Sequence, residues 1–378
     1  MKIAIVTHCV AKGDGQGRVN YELVRFLLRQ GLDVELIATR VDEDLLDAGA
    51  TWTPVRPHRF GTDLVTVWDF TQRVNRLLAE RPDEYDLVLA CGVVLSCPHT
   101  VNVAHFVHGT WLESPYHSRK VGSGLRRWYH GLYTAINARW ERHTFAQAEV
   151  VVAVSDMVRR ELIEIGVPAD RIEVIVNGVD LQEFAPGPAD RSELGLPEAV
   201  RLGLFVGDLC SPIKNLDTVL HELRAVPSAH LAVAGRTHSS PYPALAEELE
   251  VADRVHFLDF RRDVADLMRA SDFFVLPSRR DSCPLVLLEA MASGLPILTA
   301  TTVGISNLVA PSCGFVMDGP ADTDTLRTAL NVFVTDPNRS AEMGRAARRV
   351  AEGYGWEHMA QQYLTLFKQV APTSEPLS

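Results

Sequence analysis

Residues 278–304, SRRDSCPLVLLEAMASGLPILTATTVG, decide the fold. Directly before them, residues 272–277 (DFFVLP) form a short apolar run rich in Phe and Val, the pattern of a buried strand. Arg279, Arg280, Asp281 and Ser282 predict a charged loop. A helix follows, with Ser282 or Cys283 as N-cap, Pro284 at the first helical position and Gly294 just past the end. Residues 295–300 read as the next buried strand. Strand, loop, helix and strand make one βαβ unit of a parallel sheet. Two acids stand in it, Asp281 in the loop and Glu289 in the helix, with seven residues between them. The helix around Glu289 is apolar on most sides. Its carboxylate therefore either reaches solvent on a partly wet face or has a dedicated hydrogen-bonding partner, such as a ribose diol.

The chain has 378 residues, enough for two domains, and 47% of them are hydrophobic, enough to fill two cores. A net charge of −11 argues against a nucleic-acid partner held by bulk electrostatics. No apolar run approaches the ~20 residues that span a bilayer. The start, MKIAIVTHCV, reads as a first strand and not as a signal peptide. Six cysteines (Cys9, Cys91, Cys97, Cys210, Cys283, Cys313) lack metal or disulfide spacing, which predicts reduced thiols and a cytoplasmic setting.

In chain order, residues 2–9 and 34–38 predict strands around a helix over 18–30. Gly13, Gly15 and Gly17 crowd the first loop, where backbone N–H groups and a helix N-terminus can meet a phosphate; tight-turn packing is the other reading. Further strands are predicted over 86–91 and 101–107, placing His105 within the second and His108 just past its carboxyl end. Residues 118–147 carry a basic and aromatic cluster, including Arg119, Lys120, Arg126, Arg127, Trp128 and Trp140. It reads as a long solvated helix or as an interfacial segment meeting anionic lipid, with Gly131 expected to interrupt it. A strand over 150–154, a helix capped by Ser155 and an Asn177-Gly178 turn follow. The Pro- and Gly-rich stretch 185–198 reads as a linker. Strand–helix alternation resumes at Val200, with candidate elements around Gly207, Lys214, Arg236, Phe260 and Arg261. A final helix is predicted over 356–368, with a frayed tail from Pro372.

The run D-S-C-P-L-V-L-L-E-A-M-A-S-G-L-P-I-L resembles the acid-x7-Glu signature of retaining glycosyltransferases of the GT-B fold, family 4 (glycosyltransferase group 1), and the similarity extends over nearly the whole chain. The resemblance implies an α/β chain of two Rossmann-like domains facing across a cleft. These are an acceptor-binding domain over 1–184, a nucleotide-sugar-binding domain over 199–355, and a helix and tail over 356–378 crossing back to the first. It places Glu289 on the ribose and Asp281, where the family has Glu, beside the donor sugar. Ser282, Cys283 and Leu285 belong to the same donor site. His108, preferred over His105, touches the donor sugar, and the Gly15–Gly17 loop approaches the diphosphate. Val206-Gly207-Asp208-Leu209 and Lys214 resemble the family's diphosphate-binding element, with Asp208 in place of Arg and Asn215 in place of Gly. There Lys214 stabilises the departing diphosphate, alone or with Arg279, Arg280 or Arg18. Arg236 follows the next matching strand, and Phe260 and Arg261 lie where the family holds the nucleobase.

The expected activity is transfer of a sugar from a UDP- or GDP-sugar to a glycan, glycolipid or small-molecule acceptor, with no metal and no other cofactor. Peripheral contact with the inner face of a membrane is a further expectation. The D-x-D pairs at Asp42/Asp44 and Asp322/Asp324 read as solvated acids. A non-catalytic GT-B binding module, favoured by Asp208 and Asp281, and a nucleotide-sugar epimerase are the alternatives. A Rossmann oxidoreductase lacks its fingerprint, since the glycines run G-x-G-x-G.

Overall fold

The computed structural model describes residues 1–58, 62–121 and 124–371, with the backbone alone at 121, 125 and 126. The side chain of Arg126 and the tail from Pro372 lie outside the described residues. The chain forms two compact units, Met1–Asn177 joined by the segment from Trp356 onward, and Gly178–Gly355.

In the first unit, apolar runs form β1 (Lys2–Val10), β2 (Asp33–Val41), β3 (Thr51–Pro54), β4 (Leu87–Cys91), β5 (His99–Ala104), β6 (Ala148–Ala153) and β7 (Ile172–Val174). They pair in the order β3-β2-β1-β4-β5-β6-β7, every ladder parallel. The order reverses between β1 and β4, the topological switch point where ligands bind beyond the strands' carboxyl ends. The helix Trp356–Val370 packs on the helix Gly15–Arg29 of this unit, burying Met359, Tyr363, Leu364 and Phe367. Arg29 meets Glu357 at 3.2 Å, and Arg18 lies 6.0 Å from the Trp356 ring. The crossing-back of the last helix is therefore borne out.

In the second unit, β8 (Arg201–Val206), β9 (Ala229–Ala234), β10 (Val255–Phe257), β11 (Phe273–Leu276), β12 (Ile297–Ala300) and β13 (Gly314–Met317) pair in the order β10-β9-β8-β11-β12-β13, again all parallel. Its switch point falls between β8 and β11. Both units thus have the doubly wound, Rossmann-like architecture. Phe273 stacks on Phe333 at 5.1 Å, and Phe315 meets Phe333 edge-on at 5.7 Å, inside a core continued by Phe205, Leu298 and Leu330. Each such fully buried side chain contributes about 1.5–3 kcal/mol.

Several local expectations are corrected. The helix after β11 spans Leu285–Ala292, and Pro284 is its N-cap with ψ 120°, not its first helical residue. The helix expected to start near Arg18 begins at Gly15, so of the three loop glycines only Gly13, at φ +85°, stays in the turn. β5 ends at Ala104, which leaves His105 beyond the strand, and His108 opens the helix His108–Glu113. Gly131 does not interrupt its helix, which runs unbroken over Gly124–Gln147. A Cβ at Gly131 would sit 3.0 Å from Cδ of Arg119, so the glycine makes room for that side chain.

The stretch read as a linker is fastened to the second unit by Arg191. Its guanidinium donates to Ala270 O (2.7 Å), Val200 O (2.8 Å) and Asp272 Oδ2 (2.8 Å). Asp272 also accepts from Arg201 Nη1 (2.6 Å) and Leu202 N (2.8 Å), satisfying both oxygens at the base of β11. Asp272→Ala leaves two half-buried guanidiniums and a backbone N–H without this acceptor. It should destabilise the second unit by about 2–4 kcal/mol. Urea unfolding should show the loss, with Asp272→Asn falling between it and wild type; a shift under about 0.5 kcal/mol, the scale of an ordinary surface change, would refute this role.

Candidate active site

At the switch point of the first unit, the carboxyl ends of β1, β4 and β5 enclose a cavity of about 340 Å³. Its lining includes Asp14, Gly17, His105, His108, Tyr133 and Asn137. Asp14 caps the helix Gly15–Arg29, its Oδ1 accepting from Gly17 N at 2.6 Å. That N–H is thereby spent, and a carboxylate stands where a phosphate cradle is expected. A Cβ at Gly17 would lie 2.9 Å from Ala11 O, so close packing explains this glycine, whereas Gly15 faces open space. Burial pushes His105 down to about 4, against the opposing pull of Asp14. Its Nε2 is buried and has no hydrogen-bond partner among the described residues. The backbone N–H groups of His108 and Gly109 donate to Glu141 Oε2 (2.7 Å) and Oε1 (2.6 Å). Glu141 comes from the second half of Gly124–Gln147 and is fully buried. A Cβ on Gly109 would sit 3.1 Å from that carboxylate and 2.8 Å from Ile165.

At the switch point of the second unit, Lys214 Nζ meets Asp281 Oδ2 at 2.5 Å, with side-chain exposures of 22% and 16%. Lys214 ends a short 3-10 turn, Pro212–Lys214, and its stem lies across Gly207, where a Cβ would be 3.2 Å from Lys214 Cγ. Asn215 takes the left-handed conformation, φ 64°, which Asn tolerates almost as Gly does. Its buried amide donates to Pro277 O (3.0 Å) and Pro320 O (2.9 Å), and its Oδ1 accepts from Thr218 Oγ1 (2.7 Å). This accounts for Asn at the family's Gly position. Asp208 has a local role, accepting from Cys210 N at 2.9 Å. The Asp281 loop is held by Asp281 N to Thr302 O (3.2 Å) and Gly304 N to Asp281 O (2.7 Å).

The other expected donor-site residues divide. Ser282, Cys283 and Leu285 lead into the helix carrying Glu289, which is half-buried on its second turn. Phe260 is 61% exposed, and Arg236 is exposed on the turn after β9. Arg261 is engaged by Asp263 through Nε at 2.7 Å and through Nη2. Arg279 is held bidentate by Asp217 (3.0 and 2.6 Å), and Arg18 meets Glu22 at 2.9 Å. Both are committed elsewhere, and Lys214 stands beside Asp281. The D-x-D acids also have structural partners: Asp44 holds Tyr21 Oη (2.6 Å) and Lys12 Nζ (3.1 Å), and Asp322 caps Thr323–Thr335 through Thr325 N (3.1 Å). Sequence reasoning missed Glu141 and Asp14.

Burial raises the Glu141 carboxyl from 4.5 to about 7, with the His108 and Gly109 N–H groups opposing the shift. Between those values the folded form holds a proton that the unfolded chain has released. The group therefore lowers stability as pH rises through that window and adds no slope above it. At about 1.4 kcal/mol per unit, the effect is at most about 3.5 kcal/mol. Glu141→Gln should remove this part of the slope in urea midpoints taken between about pH 5 and pH 8; an unchanged slope would sink the assignment.

Residues 13–183 match the family described as Glycosyltransferase Family 4, and residues 188–350 the family described as Glycosyl transferases group 1. A D-inositol 3-phosphate glycosyltransferase of Gordonia bronchialis is 32% identical over 248 residues, 61% of this chain and 54% of that protein. The chain thus spans about half the length of the relatives it matches. The crystal structure of WaaG, a glycosyltransferase involved in lipopolysaccharide biosynthesis, shares the fold with a TM-score of 0.77 and 21% identity, covering 98% of this chain and 100% of that one. Anabaena HepE in complex with UDP-glucose does so at 0.72 and 20% identity, covering 98% and 100%. With two parallel-sheet Rossmann-like units and matches to both family halves along the sequence, the chain belongs to the group 1 glycosyltransferases of GT-B fold, with a family 4 N-terminal part.

Proposed function

We propose that the chain transfers a glycosyl group from a nucleoside diphosphate sugar, a UDP- or GDP-sugar, to an acceptor hydroxyl in glycan or glycolipid synthesis. Transfer proceeds with retention at the anomeric carbon and without a metal. The observation that carries this reading is the Lys214–Asp281 pair at the carboxyl ends of β8 and β11. Lys214 neutralises the departing diphosphate, a charge present in full only as the bond breaks. Asp281 aims that ammonium and meets the donor sugar. Glu289 takes the ribose hydroxyls, and exposed Phe260 offers a face to the base. The bond from the anomeric carbon to the leaving phosphate oxygen breaks as the acceptor oxygen bonds to the same face. The acceptor's proton passes to the leaving phosphate. One likeness supports the donor class: HepE is described in complex with UDP-glucose.

A panel of UDP-, GDP- and ADP-sugars tests the reading, with product anomer and linkage read by NMR. Free nucleotide plus transferred or hydrolysed sugar supports it. An epimerised nucleotide sugar makes the protein an epimerase, and tight binding without turnover makes it a binding module. Two substitutions separate the roles. Lys214→Ala should cut kcat by about 10²-fold or more. Glu289→Gln should instead weaken calorimetric binding of the bare nucleoside diphosphate, by about 1.5–3 kcal/mol. A Lys214→Ala enzyme at wild-type rate, or a Glu289→Gln protein at wild-type affinity, returns that residue to a structural role.

Peripheral membrane contact through Gly124–Gln147 is a second part of the proposal. It rests on Trp128 (72% exposed) and Leu132 (60%), one turn apart on a helix that also exposes Arg127, Arg139 and Arg142. No described helix is long and apolar enough to cross a membrane, so contact would be interfacial. Each basic residue adds about 1 kcal/mol near an anionic leaflet, screened by salt. Flotation with anionic liposomes should show binding that fails at high salt and in Arg127→Glu/Trp128→Ser/Leu132→Ser. Absence of binding at low salt overturns this part alone.

A further inference from the structure

The cavity of the first unit combines features that bear on the acceptor. Polar groups converge on it from three elements: Asp14 at its exposed mouth before the helix Gly15–Arg29, His105 after β5, and Tyr133 and Asn137 on Gly124–Gln147. Phe106 and Phe145 supply apolar wall. Its volume, about 340 Å³, falls within the usual range for small-ligand sites, about 300–1,000 Å³. Burial holds His8 and His105 below their ordinary range and so neutral, and it raises the Tyr133 phenol. The lining among the described residues brings a carboxylate and no ammonium or guanidinium. His105 Nε2, buried without a hydrogen-bond partner among the described residues, is an atom whose desolvation goes uncompensated until something binds.

Building on the transferase reading above, we propose that this cavity holds the acceptor as an uncharged polyhydroxylated ring, with His105 Nε2 hydrogen-bonded to one hydroxyl and Asp14 selecting against phosphorylated acceptors. A sugar or cyclitol ring suits such a wall: hydroxyls meet the imidazole, the phenol and the amide, and C–H faces meet the two phenyl rings. Neutral imidazole accepts or donates at Nε2 according to its tautomer, so it serves an uncharged hydroxyl without a counter-charge. A phosphate monoester in the same place would add about two negative charges beside Asp14, with no ammonium or guanidinium in the described lining to answer them. His105 is thus a positioning residue for the acceptor.

The test uses the full chain with the donor that the nucleotide-sugar panel identifies. Acceptors are offered as matched pairs: myo-inositol against inositol 1-phosphate, and methyl α-glucoside against its 6-phosphate. The uncharged member of a working pair should have a kcat/KM at least about tenfold higher. His105→Ala should raise acceptor KM by about tenfold or more, with a much smaller fall in kcat, and His105→Gln should recover part of the loss. Asp14→Asn, which keeps the helix cap because Asn caps as well as Asp, should narrow the gap between the pair members at least about threefold. Preference for the phosphorylated member, a fall in kcat at constant KM in His105→Ala, or an unchanged ratio in Asp14→Asn overturns the inference. Donor hydrolysis with no transfer to either class overturns it while leaving the transferase reading intact. Absence of any donor cleavage overturns that reading as well.

Discussion

Asn215 ties three segments together in the second unit, and the donor-site geometry depends on it. Its amide reaches the carbonyls of Pro277, after β11, and of Pro320, after β13, while its oxygen takes Thr218 at the head of the next helix. The residue is fully buried and sits at φ 64°. A glycine could adopt that backbone but could make none of the three bonds. The price of a non-glycine residue in the left-handed region is offset by joining the carboxyl ends of two strands. Lys214 precedes it in the chain, so the same fastening directs the ammonium toward Asp281.

The Lys214–Asp281 pair sets a constraint of its own. A half-buried ion pair already in contact gives Lys214 a counter-ion before any ligand arrives. A diphosphate must then share the ammonium with Asp281, and repulsion between the two anions weakens ground-state binding. That arrangement does less harm in a transition state, where phosphate charge grows and pulls harder on the cation. Asp is shorter than Glu by one methylene, which holds the carboxylate against the lysine.

The alternation of strands and helices was legible because period and punctuation agree: DFFVLP, Ser155 as a cap and Gly294 past a helix end each say one thing. Edge strands β3 and β13 escaped because four residues each, TWTP and GFVM, carry too little pattern. Lys214 and Asp281 were found through their motif, and the structure brings them together. Glu141 was invisible. In ARWERHTF it looks like one more charge on a solvated helix, and only the packing of the helix His108–Glu113 against it turns it inward. The glycine loop misled for a related reason: G-x-G-x-G spacing says nothing of Asp14 spending the N–H that a phosphate would need.

The first unit is discontinuous in sequence, since the helix Trp356–Val370 completes it after the whole second unit has intervened. Translation at about 5–20 residues per second separates the emergence of the two parts by roughly 10–40 s. During that interval the second unit, continuous from Gly178 to Gly355, has all its strands available and can close its core. The helix Gly15–Arg29 meanwhile lacks the partner that covers it. The nascent chain therefore exposes an apolar helix face for much of its synthesis, and a chain broken off before residue 356 carries that face permanently. Chaperone engagement and proteolysis of truncated products are accordingly directed to the amino-terminal unit, although it is the first to leave the ribosome.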